Sequence, residues 1–90
     1  MQSIYKYPVW IADAQEINLP LGAKVLTVQA QGEAAYIWVL VDTEVETRPR
    51  RFLLRGTGHP MNGATAEHYI GTFQLRGGDL VFHLFEQSEE

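Results

Sequence analysis

The sequence predicts an all-β, mainly antiparallel fold, a small β-sandwich or partly open barrel of about seven strands. Three observations predict it. Apolar residues recur with period two almost throughout the chain. Turn chemistry interrupts that pattern at short intervals, at Pro20-Leu21-Gly22, Gly32-Glu33 and Gly77-Gly78. Helical periodicity is confined to Pro60 to His68, so at most one short helix is expected, at 60–68.

Ser3 to Val9 reads as the first strand, with Tyr5 and Tyr7 on one side and Ile4 and Lys6 on the other. Gln15 to Leu19 is a short second strand. Lys24 to Gln31 follows, with Val25, Thr27 and Gln29 alternating against Leu26, Val28 and Ala30. The Gly32-Glu33 turn leads into Ala34 to Asp42, and this pair is the clearest hairpin. Its second arm, AAYIWVLVD, is apolar on both faces and reads as a central strand.

Thr43 to Pro49 reads as a charged loop. Arg50 to Arg55 is a strand with Phe52 and Leu54 facing one way and Arg51, Leu53 and Arg55 the other. The glycine-rich stretch RGTGHPMNGA, Arg55 to Ala64, comes next, then a strand from His68 to Leu75. Gly77-Gly78 is a hairpin turn that needs unusual backbone angles, and Leu80 to Glu86 is the last strand. Ninety residues without linker or repeat make a single β domain, 1–90.

Composition excludes several chemistries. With 46% hydrophobic and 20% charged residues the chain is of ordinary globular type. It has no cysteine, which removes disulfides, thiolate metal sites and a cysteine nucleophile. MQSIYKYPVW has neither the basic nor the apolar region of a signal peptide, and no apolar run approaches membrane-spanning length. A soluble intracellular protein without membrane contact is expected.

The net charge of −4 argues against general nucleic-acid binding. Four cationic residues, Arg48, Arg50, Arg51 and Arg55, nevertheless fall within eight positions. Acid collects elsewhere, at Glu44 and Glu46 and at Glu86, Glu89 and Glu90.

Catalytic signatures are absent. The only serines, Ser3 and Ser88, lie near the ends of the chain, and no phosphate loop is present. Gly56, Gly58 and Gly63 do not fit the dinucleotide fingerprint, because Met61 takes its sixth position. His59, His68 and His83 are separated by 9 and 15 residues, which matches no compact zinc motif. His83 reads as a hydrogen-bonded core-edge residue, and Asp42 and Asp79 as ordinary turn aspartates. No catalytic residue, metal ligand or cofactor is predicted.

The arginine cluster is the positive evidence. On a strand, Arg51 and Arg55 point the same way, roughly 13 Å apart. Arg55 leads into Gly56-Thr57-Gly58, whose amides can approach an anion closely, and arginine recognises phosphate in bidentate fashion. Tyr36 and Trp38 share one face of the central strand expected to neighbour the arginine strand, and offer stacking surface for a base. The candidate ligand-binding residues are therefore Arg51, Arg55, Thr57, His59, Tyr36 and Trp38. In the alternative reading Arg50 and Arg51 guard an edge strand and pair with Glu44 and Glu46, while His59 braces its loop. Residues 36–41 and 80–85 carry large apolar groups on both faces. That surplus predicts self-association as a homo-oligomer, or else a loop draped over the outside.

The runs IYKYPV, GAKVLTVQAQ, WVLVDTE, RGTGHPM and YIGTFQLRGGDLVFHLFE span residues 4 to 86. They resemble a small uncharacterised family, a domain of unknown function, encoded by tailed phages and bacterial prophages. The resemblance implies a small accessory protein working in the cytoplasm of the bacterial host cell, and it supplies no catalytic residues. By analogy it implies a non-enzymatic inhibitor of a bacterial defence system. Such a protein would sequester a nucleotide immune signal, with phosphates on Arg51, Arg55, Thr57 and His59, or would bind a host defence protein. A structural or regulatory phage protein without ligand is the alternative, and a small hydrolase is third.

Overall fold

The computed structural model describes residues 1–87; Ser88 and the acidic pair Glu89 and Glu90 lie outside the described residues. Seven strands follow in order: β1 (Gln2–Val9), β2 (Ala14–Pro20), β3 (Lys24–Gln31), β4 (Ala34–Asp42), β5 (Thr47–Gly56), β6 (Tyr69–Leu75) and β7 (Leu80–Glu86). They form two antiparallel sheets, one in the order β1-β4-β3 and one in the order β2-β5-β7-β6. The small β-sandwich expected from the period-two pattern is the observed architecture. Among the described residues no helix is long and apolar enough to cross a membrane.

The alternation read from the sequence fixes which face of each strand is buried. In β4, Ala35, Ile37, Val39 and Val41 are buried, while the intervening residues are not. Phe52 and Leu54 of β5 and Leu84 of β7 meet them from the other sheet, with Leu19, Phe73 and Leu75 completing the core. Each such side chain stabilises the fold by about 1.5–3 kcal/mol relative to an exposed position.

The sheets close along one side, where β3 and β6 are the neighbouring edge strands. A Cβ added at Gly71 would lie 2.8 Å from Val28 Cγ1, so only glycine permits this approach. Along the other side the chain passes from β1 to β2 through residues 10–13. There the amide of buried Gln15 accepts from the Trp10 N–H at 2.9 Å and donates to the Trp10 carbonyl at 2.8 Å. This satisfies Gln15, the one buried polar residue among the described residues.

Two local expectations need correction. The loop predicted over Thr43 to Pro49 ends early, because β5 begins at Thr47 and Pro49 pairs with Asn18. Proline fits there because β7 pairs with β5 only from Phe52 onward, which leaves this part of β5 with one strand neighbour. The expected short helix shrinks to a single 3-10 turn, Ala66–His68. The last hairpin turns at Gly77-Gly78 as expected, with φ 63° and 100°, and Arg76 shares the left-handed conformation at φ 54°.

Candidate functional site

The outer face of the β2-β5-β7-β6 sheet carries Leu53 and Phe85, and the chain covers them itself. The stretch between β5 and β6 lies across them, and Ala64 packs on both to form a second small apolar cluster. A segment with no strand partner leaves carbonyls in need of donors. Arg55 supplies them. Its Nε donates to the Met61 carbonyl at 2.7 Å, and Nη2 donates to that of Asn62 at 2.9 Å. Nη1 donates to the carbonyls of Asp13 and Leu54, both at 2.9 Å. The guanidinium expected to meet a phosphate is thus occupied by the chain's own backbone.

His59 and Thr57 serve the same segment. The His59 ring lies on Gly56, where an added Cβ would stand 2.9 Å from ring Cε1 and Nδ1. The His59 backbone N–H donates to the Gly56 carbonyl at 3.0 Å, so His59 braces the loop. The Thr57 hydroxyl sits 2.7 Å from His83 Nε2, and the Thr72 hydroxyl 2.8 Å from His83 Nδ1. Tyr69 extends the chain to Thr72 at 2.5 Å. Neutral imidazole donates at one nitrogen and accepts at the other, and two hydroxyls meet both needs. His83 is therefore hydrogen-bonded, but on the outer face rather than at the core edge.

Tyr36 and Trp38 lie elsewhere. They were expected beside the arginine strand, yet β4 and β5, consecutive in the chain, belong to different sheets. Trp38, Tyr36 and Leu40 stand on the outer face of the β1-β4-β3 sheet. Trp38 pairs with Lys6 and Thr27, Tyr36 with Pro8 and Gln29, and Leu40 with Ile4 and Lys24. The two rings meet edge to face, centroids 6.2 Å apart at 70°. Lys6 Nζ lies 4.5 Å from the Tyr36 centroid and donates to Gln31 Oε1 at 2.9 Å. Ile4 is 56% exposed, and Trp10 and Ile11 extend the apolar surface beyond Pro8 and Tyr36.

Charge on this face is one-sided. It holds both lysines of the chain, Lys6 and Lys24. The nearby carboxylates sit at its ends, Glu33 in the β3–β4 turn and Asp42 at the end of β4. Asp42 accepts from the Glu44 N–H at 3.0 Å and from the Met1 ammonium at 3.3 Å. These interactions, the backbone one foremost, hold its carboxyl below its ordinary value.

Three other arginines, Arg48, Arg50 and Arg51, line a cleft of about 560 Å³ on the second sheet. Arg50 forms a bidentate pair with Glu86 at 2.6 and 2.9 Å and donates to the Ala23 carbonyl at 2.7 Å. Arg48 pairs with Glu46 at 2.7 Å, while Glu44 faces the Met1 ammonium. The pairing of Arg50 and Arg51 with Glu44 and Glu46 is thereby replaced. Arg51 is exposed and makes no hydrogen bond or ion pair among the described residues.

The six residues singled out in the sequence therefore separate into three places. Arg55, Thr57 and His59 hold the β5–β6 loop, Arg51 borders the arginine cleft, and Tyr36 and Trp38 occupy the opposite sheet. The reading missed Lys6, Ile4, Pro8 and Leu40 as companions of Trp38. Their shared parity was visible, but the β1–β4 pairing that makes it meaningful was not. Among the described residues, no three of His, Asp or Glu are placed to hold a metal ion.

These features define a small antiparallel β domain whose exposed chemistry lies on open surfaces and a shallow-walled cleft. The chain belongs to the family described as Domain of unknown function (DUF7352), whose model matches residues 1–90. No curated protein and no solved structure matches it.

Proposed function

We propose that this chain is a non-enzymatic binding protein of phage or prophage origin. In this reading it blocks a host defence protein in the bacterial cytoplasm, and the outer face of the β1-β4-β3 sheet is its working surface. One observation carries the reading: an uncovered apolar face, centred on Trp38, that holds both lysines of a net acidic chain. Exposed apolar patches of this kind mark interaction surfaces, and aromatic side chains dominate their energetics. The charge selects the partner. Two copies joined through this face by a twofold axis would bring lysines toward lysines, so an acidic protein surface fits better than a second copy.

The test is plaque formation on a bacterial strain carrying a defence system that the protein suppresses. Trp38→Ala and Lys6→Glu should each restore defence, whereas Glu67→Gln, on the exposed 3-10 turn, should not. Both variants should remain folded by circular dichroism. A folded Trp38→Ala protein with full suppression would overturn the proposal. Light scattering should show that the isolated protein does not dimerise through this face.

A further inference from the structure

We infer that the arginine cleft is a separate binding site for a nucleoside phosphate whose base carries an amino group. The inference does not rest on the sheet-face reading. Three features of the cleft support it.

The first is size and lining. A volume of about 560 Å³ falls within the range of small-molecule sites, roughly 300–1,000 Å³, and exceeds what a bare phosphate needs. Pro20, Leu21 and Pro49 give it apolar walls on which a base or sugar can rest.

The second is an anion-binding edge. Arg51 and His68 border the cleft from β5 and from the 3-10 turn before β6. Arg50 borders the cleft as well, and its bidentate pair with Glu86 stiffens the wall. Arg51 has its donors available for a phosphate, which the guanidinium fork matches in bidentate fashion. His68 adds a ring N–H.

The third is an acceptor lacking a donor. Gln87 borders the same cleft, and its Oε1 is buried without a hydrogen-bond partner. A buried acceptor left unpaired is costly, and native structures rarely leave one so. The oxygen is sealed off as it stands, so the Gln87 side chain must turn toward the cleft, where an exocyclic amino group of adenine or guanine supplies the missing N–H. Phosphate to Arg51 and His68, base to Gln87, and apolar contact between them give a ligand of nucleotide length.

The test is titration of the full-length, isotope-labelled protein with ADP, followed by amide chemical shifts. Saturable shifts are expected at Leu21, Gly22, Arg51, His68 and Gln87. Arg51→Ala should weaken ADP binding about tenfold or more, a charge-assisted contact being lost. Gln87→Leu should weaken it about fivefold on the same scale while leaving inorganic phosphate unaffected. Arg76→Gln removes the same charge at a distant turn and should change nothing, which separates a local site from net charge. Three results would each overturn the inference: no saturable shift at these amides, shifts indifferent to Arg51→Ala, or equal affinity for inorganic phosphate and ADP. Because Trp38 and Lys6 lie on the other sheet, failure here leaves the sheet-face proposal standing, and the reverse holds.

Discussion

Both sheets carry large apolar side chains on their outer faces, but only one of them is covered by the chain itself. On the β2-β5-β7-β6 sheet, Leu53 and Phe85 are each 5% exposed beneath the β5–β6 loop. On the β1-β4-β3 sheet, Ile4 is 56% exposed and Trp38 and Tyr36 are half-buried only by their strand neighbours. The covering loop is held by an arginine whose four side-chain hydrogen bonds go to backbone carbonyls. The same residue type does opposite work in two places: Arg55 satisfies the chain, and Arg51 faces outward. Proximity of arginine to glycine therefore says little about ligand binding until the local carbonyls are counted.

The contrast can be broken by substitution. Phe85→Ala should have the largest effect, a loss of about 3–5 kcal/mol in urea unfolding, because it opens a cavity under the loop. Arg55→Met keeps an unbranched apolar stem but removes every donor. It should cost about 2 kcal/mol and speed hydrogen exchange between residues 57 and 68, since carbonyls of the loop lose their partner. Trp38→Ala should cost less than about 1 kcal/mol, no cavity being created on an open face. Should Trp38→Ala prove as costly as Phe85→Ala, the two faces are equally covered and the comparison fails.

The smallest effect concerns pH. Asp42 is held below its ordinary value of 3.8, so its interactions stabilise the fold above that pH and are lost as pH falls through the lowered value. Asp42→Asn should flatten the acid limb of stability measured against pH below about 4. Asp42→Asn should leave stability near pH 7 almost unchanged, because the pair is solvent-exposed.

Strand positions were legible because burial on one face imposes period two, as Ile37, Val39 and Val41 show against Tyr36, Trp38 and Leu40. The start of β5 was not, because Pro49 reads as a breaker unless its strand is known to lack a second neighbour there. The sheet assignment of β4 was also hidden. A chain leaving a central strand through a short loop can stay in its sheet or cross to the facing one, and residues 43–46 carry no mark of the crossing. The candidate site suffered most from this. Arg51 could be named from its place in the arginine cluster, but His68 and Gln87, which border the same cleft, are brought near it only by the β2-β5-β7-β6 order. The backbone role of Arg55 was hidden because the carbonyls it meets belong to irregular backbone, whose needs leave no pattern in side-chain types.

The contact of Gly71 with Val28 also bears on how the chain assembles. It joins the β6–β7 hairpin of one sheet to the β3 edge of the other, across a long stretch of intervening chain. The N-terminal sheet needs only residues 2–42, but the β3–β6 seam must wait until β6 has been made and aligned. Non-local closure of this kind slows folding, typically into the millisecond-to-second range. A larger residue at position 71 would therefore act late, leaving the formation of the first sheet intact and raising the rate at which the finished molecule opens along that seam.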